Sequence, residues 1–122
     1  MDFIYVALGG AIGALGRFAI SQLSIKTQFP VLTLITNLIG ALLIGFVVGF
    51  IGEKDDTSKK ISLFLKTGVC GGFTTFSTFS LETVNLLEKK EYFLGGCYIV
   101  FSVLGCVVGV YAGNKIAMYS RR

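Results

Sequence analysis

Between Gly68 and Asn85 the chain reads GVCGGFTTFSTFSLETVN. Two adjacent glycines, Gly71 and Gly72, are poor helix material. Thr74, Thr75, Ser77, Thr78 and Ser80 come directly after them. In an apolar setting this run predicts a helix break near Gly71–Thr75. Exposed backbone groups at membrane depth are tolerated only where protein or a cavity covers them. A broken helix has two useful ends. Its unwound carbonyls can hold a cation, and the N-terminus of its second half offers partial positive charge to an anion. The alternative is a hydroxyl-rich packing face with a kink.

Helical spacing orders the residues beyond the break. Phe76, Phe79 and Glu82 are three apart, and Thr75 and Thr83 stand four to either side of Phe79. These five residues fall near one helix face. Aromatic rings are electron-poor at their edges, so an anion can lie against a ring edge without a formal positive charge. Elsewhere, Asn37 in TLITN carries an amide NH2, a neutral donor suited to an anion that must not bind too tightly. Arg17 ends GALGR; it either anchors its segment at an interface or faces a water-filled vestibule. Tyr98 and Ser102, four apart, line a path with their hydroxyls or bond between helices.

These residues sit in a chain built for lipid. Of 122 residues, 53% are hydrophobic and only 15% charged, with a mean hydropathy of +0.77. No charge occurs between Lys26 and Glu53, or between Glu91 and Lys115. Each gap exceeds the roughly 20 apolar residues that cross a bilayer as a helix. A domain this small could not hide such segments in a soluble core. The expected fold is an all-α integral membrane protein, a single domain of four transmembrane helices over residues 2–23, 30–52, 61–87 and 92–118. Connections as short as QLSIKTQF, EKDDTSKK and EKKE leave no room for a soluble domain. Asp2 in place of a basic start argues against a signal peptide.

Small residues recur at four-residue spacing: Gly9 and Gly13; Ala41, Gly45 and Gly49; Gly105, Gly109 and Gly113. Such stripes let helix backbones approach closely. Four short helices are few to surround a polar path, which points to a dimer or larger assembly. Seven basic residues (Lys54, Lys59, Lys60, Lys66, Lys115, Arg121, Arg122) fall on the side of the N-terminus, against Arg17, Lys26, Lys89 and Lys90 on the other. The bias toward cytoplasmic termini is modest. The net charge of +4 suits anionic lipid headgroups and not nucleic acid. Cys70, Cys97 and Cys106 lack CxxC spacing, and the chain has no histidine. A metal–thiolate site, a redox pair and enzymatic chemistry are therefore not expected.

GALGR at 13–17, TLITN at 33–37 and GGFTTFSTFSLE at 71–82 together resemble the Fluc/CrcB fluoride channels, over essentially the full chain. The resemblance implies a cell-membrane protein of prokaryotes, a dual-topology antiparallel dimer with two fluoride pathways that export fluoride passively and limit its toxicity. It implies a structural Na+ at the dimer interface on the backbone carbonyls of Gly71 and Thr74, so that a bulky residue at Gly71 is expected to be severe. Phe76 and Phe79 fit the pore phenylalanines, Asn37 the pore asparagine and Arg17 the vestibule arginine. Thr75, Glu82, Tyr98 and Ser102 extend the pathway. The hydroxyl track departs from the family pattern below Ser102, where Cys106 and Val110 occupy the next turns. That leaves room for another route or a partner's contribution. The partner is a second copy, or a paralogous subunit as in some family members. The competing class is a proton-coupled small-multidrug-type exporter, which needs a carboxylate deep in the first segment. That segment has only Asp2, at its end.

Overall fold

The computed structural model describes residues 1–25, 27–51 and 55–120. Lys26, Gly52, Glu53, Lys54, Arg121 and Arg122 lie outside the described residues. The second segment's expected end and part of the charge comparison therefore go with them.

All secondary structure among the described residues is helical: α1 (Asp2–Ser21), α2 (Val31–Ile51), α3 (Asp56–Ser62), a π-helical stretch (Leu63–Cys70), α4 (Gly71–Phe73), α5 (Phe76–Glu88) and α6 (Tyr92–Ser120). Three of these, α1, α2 and α6, are long and apolar enough to cross a membrane. Their exposure pattern is the reverse of a soluble protein's. Large apolar side chains face outward, such as Phe3 (89% exposed) and Leu15 (67%). The buried residues of α2 are Thr36, Asn37, Gly40, Ala41, Gly45 and Gly49. Lipid solvates apolar side chains as well as a core does, so close backbone packing and polar contacts are what remain to be buried.

The glycine stripes form two packed pairs. A methyl group on Gly45 would meet the Val110 carbonyl oxygen, and one on Gly113 the Leu42 carbonyl oxygen, so α2 and α6 touch backbone to backbone. In the same way, Gly9 and Gly13 of α1 press on Phe64 and Val69 in the π-helical stretch.

The third segment differs from its expected course in two ways. It starts earlier, at Asp56. Asp55 caps it by accepting from the Ser58 N–H at 2.7 Å, and this bond holds the Asp55 carboxyl below the usual carboxylate range. Second, the eight residues from Leu63 to Cys70 wind as a π-helix, a rare form that puts side chains out of phase with α periodicity. Within the expected break region, Gly71–Thr75, Gly71 and Gly72 are themselves helical, and Thr74 (φ −83°, ψ 159°) and Thr75 (φ −149°, ψ 119°) are extended. The paired glycines serve different ends. A methyl on Gly72 would lie 2.6 Å from the Gly10 carbonyl oxygen, whereas one on Gly71 would find only the Lys66 carbonyl oxygen, at 3.8 Å. Gly71 also has ordinary helical torsions, φ −63° and ψ −37°. Among the described residues of one chain, a methyl at position 71 therefore meets only ordinary contact.

α5 ends in a Schellman-type turn. The Glu91 N–H donates to the Leu86 carbonyl and the Lys90 N–H to the Leu87 carbonyl. Lys90 sits in the left-handed region, at φ 61°. A side chain there is disfavoured, so Lys90→Gly is expected to raise stability by about 0.5–1 kcal/mol. Thermal unfolding in detergent measures this; a lower midpoint would contradict the assignment of strain.

Candidate functional site

A cavity of about 360 Å³ opens between α2, α6 and the interrupted segment. Asn37 and Gly40 line it from α2, Gly71, Thr74 and Thr75 from the break, Phe76 and Phe79 from α5, and Ser102, Cys106 and Val110 from α6. Seven of the residues singled out in the sequence therefore share one cavity: Asn37, Gly71, Thr74, Thr75, Phe76, Phe79 and Ser102. Arg17, Glu82 and Tyr98 are not on its wall.

The break is built by side chains that imitate peptide groups. The Thr75 N–H donates to Asn37 Oδ1 at 2.8 Å, and Asn37 Nδ2 donates to the Thr75 carbonyl at 3.1 Å. This two-point pairing fixes a buried asparagine and an extended peptide 38 positions away to one another. Thr75 then caps α5: the Thr78 N–H donates to Thr75 Oγ1 at 3.1 Å. On the other side of the break, Thr74 N–H and Thr74 Oγ1 both donate to the Cys70 carbonyl, at 3.1 and 3.0 Å. Arg17 lies across from this end. Its Nε donates to the Gly72 carbonyl at 3.2 Å, placing a cation at the C-terminal end of the first half-helix, where the peptide dipoles favour it.

Thr75→Val removes the capping oxygen while keeping the shape. It is expected to cost about 1 kcal/mol of thermal stability, and Thr75→Ser to restore most of it. Equal midpoints for Val and Ser would show that the cap is immaterial.

Aromatic rings continue from the cavity into the protein. Phe76 is 77% exposed at the cavity mouth and Phe79 is buried, with ring centroids 5.5 Å apart. Phe79 lies 5.0 Å from Tyr98, which is fully buried. Phe29, from the α1–α2 connection, meets Tyr98 edge-on at 5.6 Å. The Tyr98 hydroxyl donates to Glu82 Oε1 at 3.0 Å. Sequence reasoning misses Phe29 because it belongs to no periodic pattern; its only signal is the Phe29–Pro30 pair at the start of α2. Sequence reasoning likewise gives no cavity wall to Gly40, whereas Cys106 and Val110, singled out on the turns below Ser102, do line it. Among the described residues, Ser102 Oγ is buried without a hydrogen-bond partner. Such a hydroxyl facing a cavity can serve a guest that accepts its proton.

The wall carries no charged side chain: an amide, hydroxyls and the two phenylalanine rings are set into a largely apolar lining that includes Ala41, Ile44, Val103 and Val110, and Arg17 and Glu82 lie off it. Among the described residues there is no group of three histidine, cysteine or acidic side chains that could hold a metal ion.

Residues 4–114 match the family described as CrcB-like protein, Camphor Resistance (CrcB). A relative from Ruminiclostridium cellulolyticum, called fluoride-specific ion channel FluC, is 43% identical over 96% of this chain and 92% of its own. One of the same name from Francisella tularensis subsp. mediasiatica is 42% identical over 94% and 93%. Another from Flavobacterium psychrophilum is 37% identical over 93% and 94%. Three apolar spanning helices, an inside-out burial pattern and near-complete coverage of these relatives lead to one conclusion: this multi-pass membrane protein belongs to the CrcB family.

Proposed function

We propose that the chain is a fluoride-selective channel that lets fluoride leave the cell down its electrochemical gradient, limiting the toxicity of cytoplasmic fluoride. The observation that carries this reading is the convergence of Asn37, Thr75, Ser102 and the Phe76–Phe79 ring pair on one cavity whose wall bears no formal charge. Fluoride is small and strongly hydrated. A path for it must replace water with donors, yet hold it weakly enough to release it. Neutral NH and OH donors with electropositive ring edges fit that demand, and the relatives' name agrees with it. Beyond the cavity, the ring ladder leads to Tyr98 and Glu82, and Arg17, bonded to the Gly72 carbonyl, supplies positive charge at the break. Permeation needs no catalysed step.

The reading extends to the assembly. Asp56–Phe73 and Phe76–Glu88 together form the third of four crossings, interrupted at Thr74–Thr75. Two chains pack antiparallel with their breaks facing, as a homodimer or with a paralogous subunit. The cavity, open on one face, suits such a partner. A structural Na+ fits the break. Thr74 and Thr75 leave the helical path, so neighbouring carbonyls lose their helical partners, and a glycine keeps the approach to one of them open. Neutral oxygens suit a hard monovalent ion. The Gly71 and Thr74 carbonyls would hold it, and it would neutralise converging carbonyl dipoles between the two chains.

Efflux of fluoride from vesicles with the membrane potential clamped tests the channel mechanism. A rate set by the fluoride gradient and indifferent to a proton gradient is expected. A rate that vanishes without a proton gradient would favour the coupled exporter instead.

A further inference from the structure

The two carbonyls assigned to the cation share a feature that one chain displays by itself. In an uninterrupted α-helix the Thr75 N–H would donate to the Gly71 carbonyl, and the Thr78 N–H to the Thr74 carbonyl. Neither bond forms. The first amide goes to Asn37 Oδ1 at 2.8 Å and the second to Thr75 Oγ1 at 3.1 Å. Each carbonyl is left without its helical donor because a side-chain oxygen has taken that donor.

We propose that Asn37 and Thr75 are positioning residues for the cation: their side-chain oxygens divert the two amides that would otherwise close on Gly71 and Thr74. The inference rests on the proposed cation site and explains how the sequence builds it without a charged ligand. It also gives Asn37 two duties. The same amide that lines the anion cavity keeps the Gly71 carbonyl available through the Thr75 peptide, so the anion path and the cation site share one part. A carbonyl whose helical bond can re-form must break it before it meets an ion, and that competition weakens ion binding by the worth of the bond.

The test is thermal stability of the purified full-length protein against Na+ concentration, with N-methylglucamine making up the ionic strength. Asn37→Leu and Thr75→Val remove the diverting oxygens. Both are expected to raise the Na+ concentration for half-maximal stabilisation about five- to tenfold. Asn37→Asp keeps an acceptor for the Thr75 N–H, and Thr75→Ser keeps one for the Thr78 N–H. These two should respond to Na+ at the wild-type concentration or below, even though Asn37→Asp is expected to lose fluoride flux, since a negative charge in an anion path repels at low dielectric. A merely structural asparagine would lower the melting midpoint at every Na+ concentration without moving the half-point. Unshifted half-points in Asn37→Leu and Thr75→Val, with a wild type that responds to Na+, would overturn this proposal alone. Should Asn37→Leu not fold, the Thr75→Val and Thr75→Ser pair decides by itself. A wild type indifferent to Na+ would overturn the cation site and the proposal together, leaving the fluoride path to its own test.

Discussion

Fluoride efflux through Phe76→Ile is expected to fall about tenfold or more, with thermal stability within about 0.5 kcal/mol of wild type. Isoleucine keeps apolar bulk and removes the ring edge. At 77% exposure, Phe76 contributes little to packing within its own chain, so a loss of flux cannot be put down to a damaged fold. Phe79 makes the harder comparison. It is buried and lies against both Phe76 and Tyr98, so Phe79→Ile should lose flux and also about 1–2 kcal/mol of stability. Vesicle flux and detergent melting on the same preparations separate the two effects. Wild-type flux in Phe76→Ile would make that ring a lipid- or partner-facing side chain and remove it from the path.

The second large effect falls on the contact between α2 and α6. Gly113→Leu is expected to abolish folded protein, a loss of more than about 3 kcal/mol. Its Cβ alone would collide with the Leu42 carbonyl oxygen and lie 2.9 Å from the Phe46 amide nitrogen. Both are backbone atoms of α2, and they can yield only if the α2–α6 pair separates. Gly96, on the same helix, supplies the control: a methyl there meets nothing within 4 Å. Gly96→Ala should be neutral or slightly stabilising, because alanine is the better helix former. Detergent-extracted yield and melting midpoint measure both. A Gly113→Leu protein of normal yield and midpoint would show that α2 and α6 do not pack backbone to backbone.

How much of this is legible in the sequence depends on how local each cause is. Charge-free gaps and hydropathy are local, and they locate α1, α2 and α6 to within a few residues. The four-residue glycine spacing is local too, but not its pairing: nothing in the chain says that Gly45 meets α6 while Gly13 meets the third segment. The π-helical stretch leaves no sign, because LFLKTGVC has no compositional mark of such winding and its close neighbours, Gly9 and Gly13, stand more than 50 positions away in the chain. The double glycine and the hydroxyl run after it mark a break only to within Gly71–Thr75, because propensity is smeared over neighbours. In the structure Thr74 and Thr75 are the extended residues, where Asn37 pairs with the Thr75 peptide. That partner is 38 positions away, and intrinsic propensity carries no information about it. The motifs that carry the family resemblance are legible because they are contiguous; the contacts that give them shape are not.

The most direct measurement of the central claim is anion efflux from liposomes holding the purified protein, monitored with fluoride and chloride electrodes under matched gradients. Rapid fluoride release with chloride at the rate of protein-free liposomes is the predicted result. Equal release of the two halides, or no fluoride release from correctly assembled protein, would contradict it.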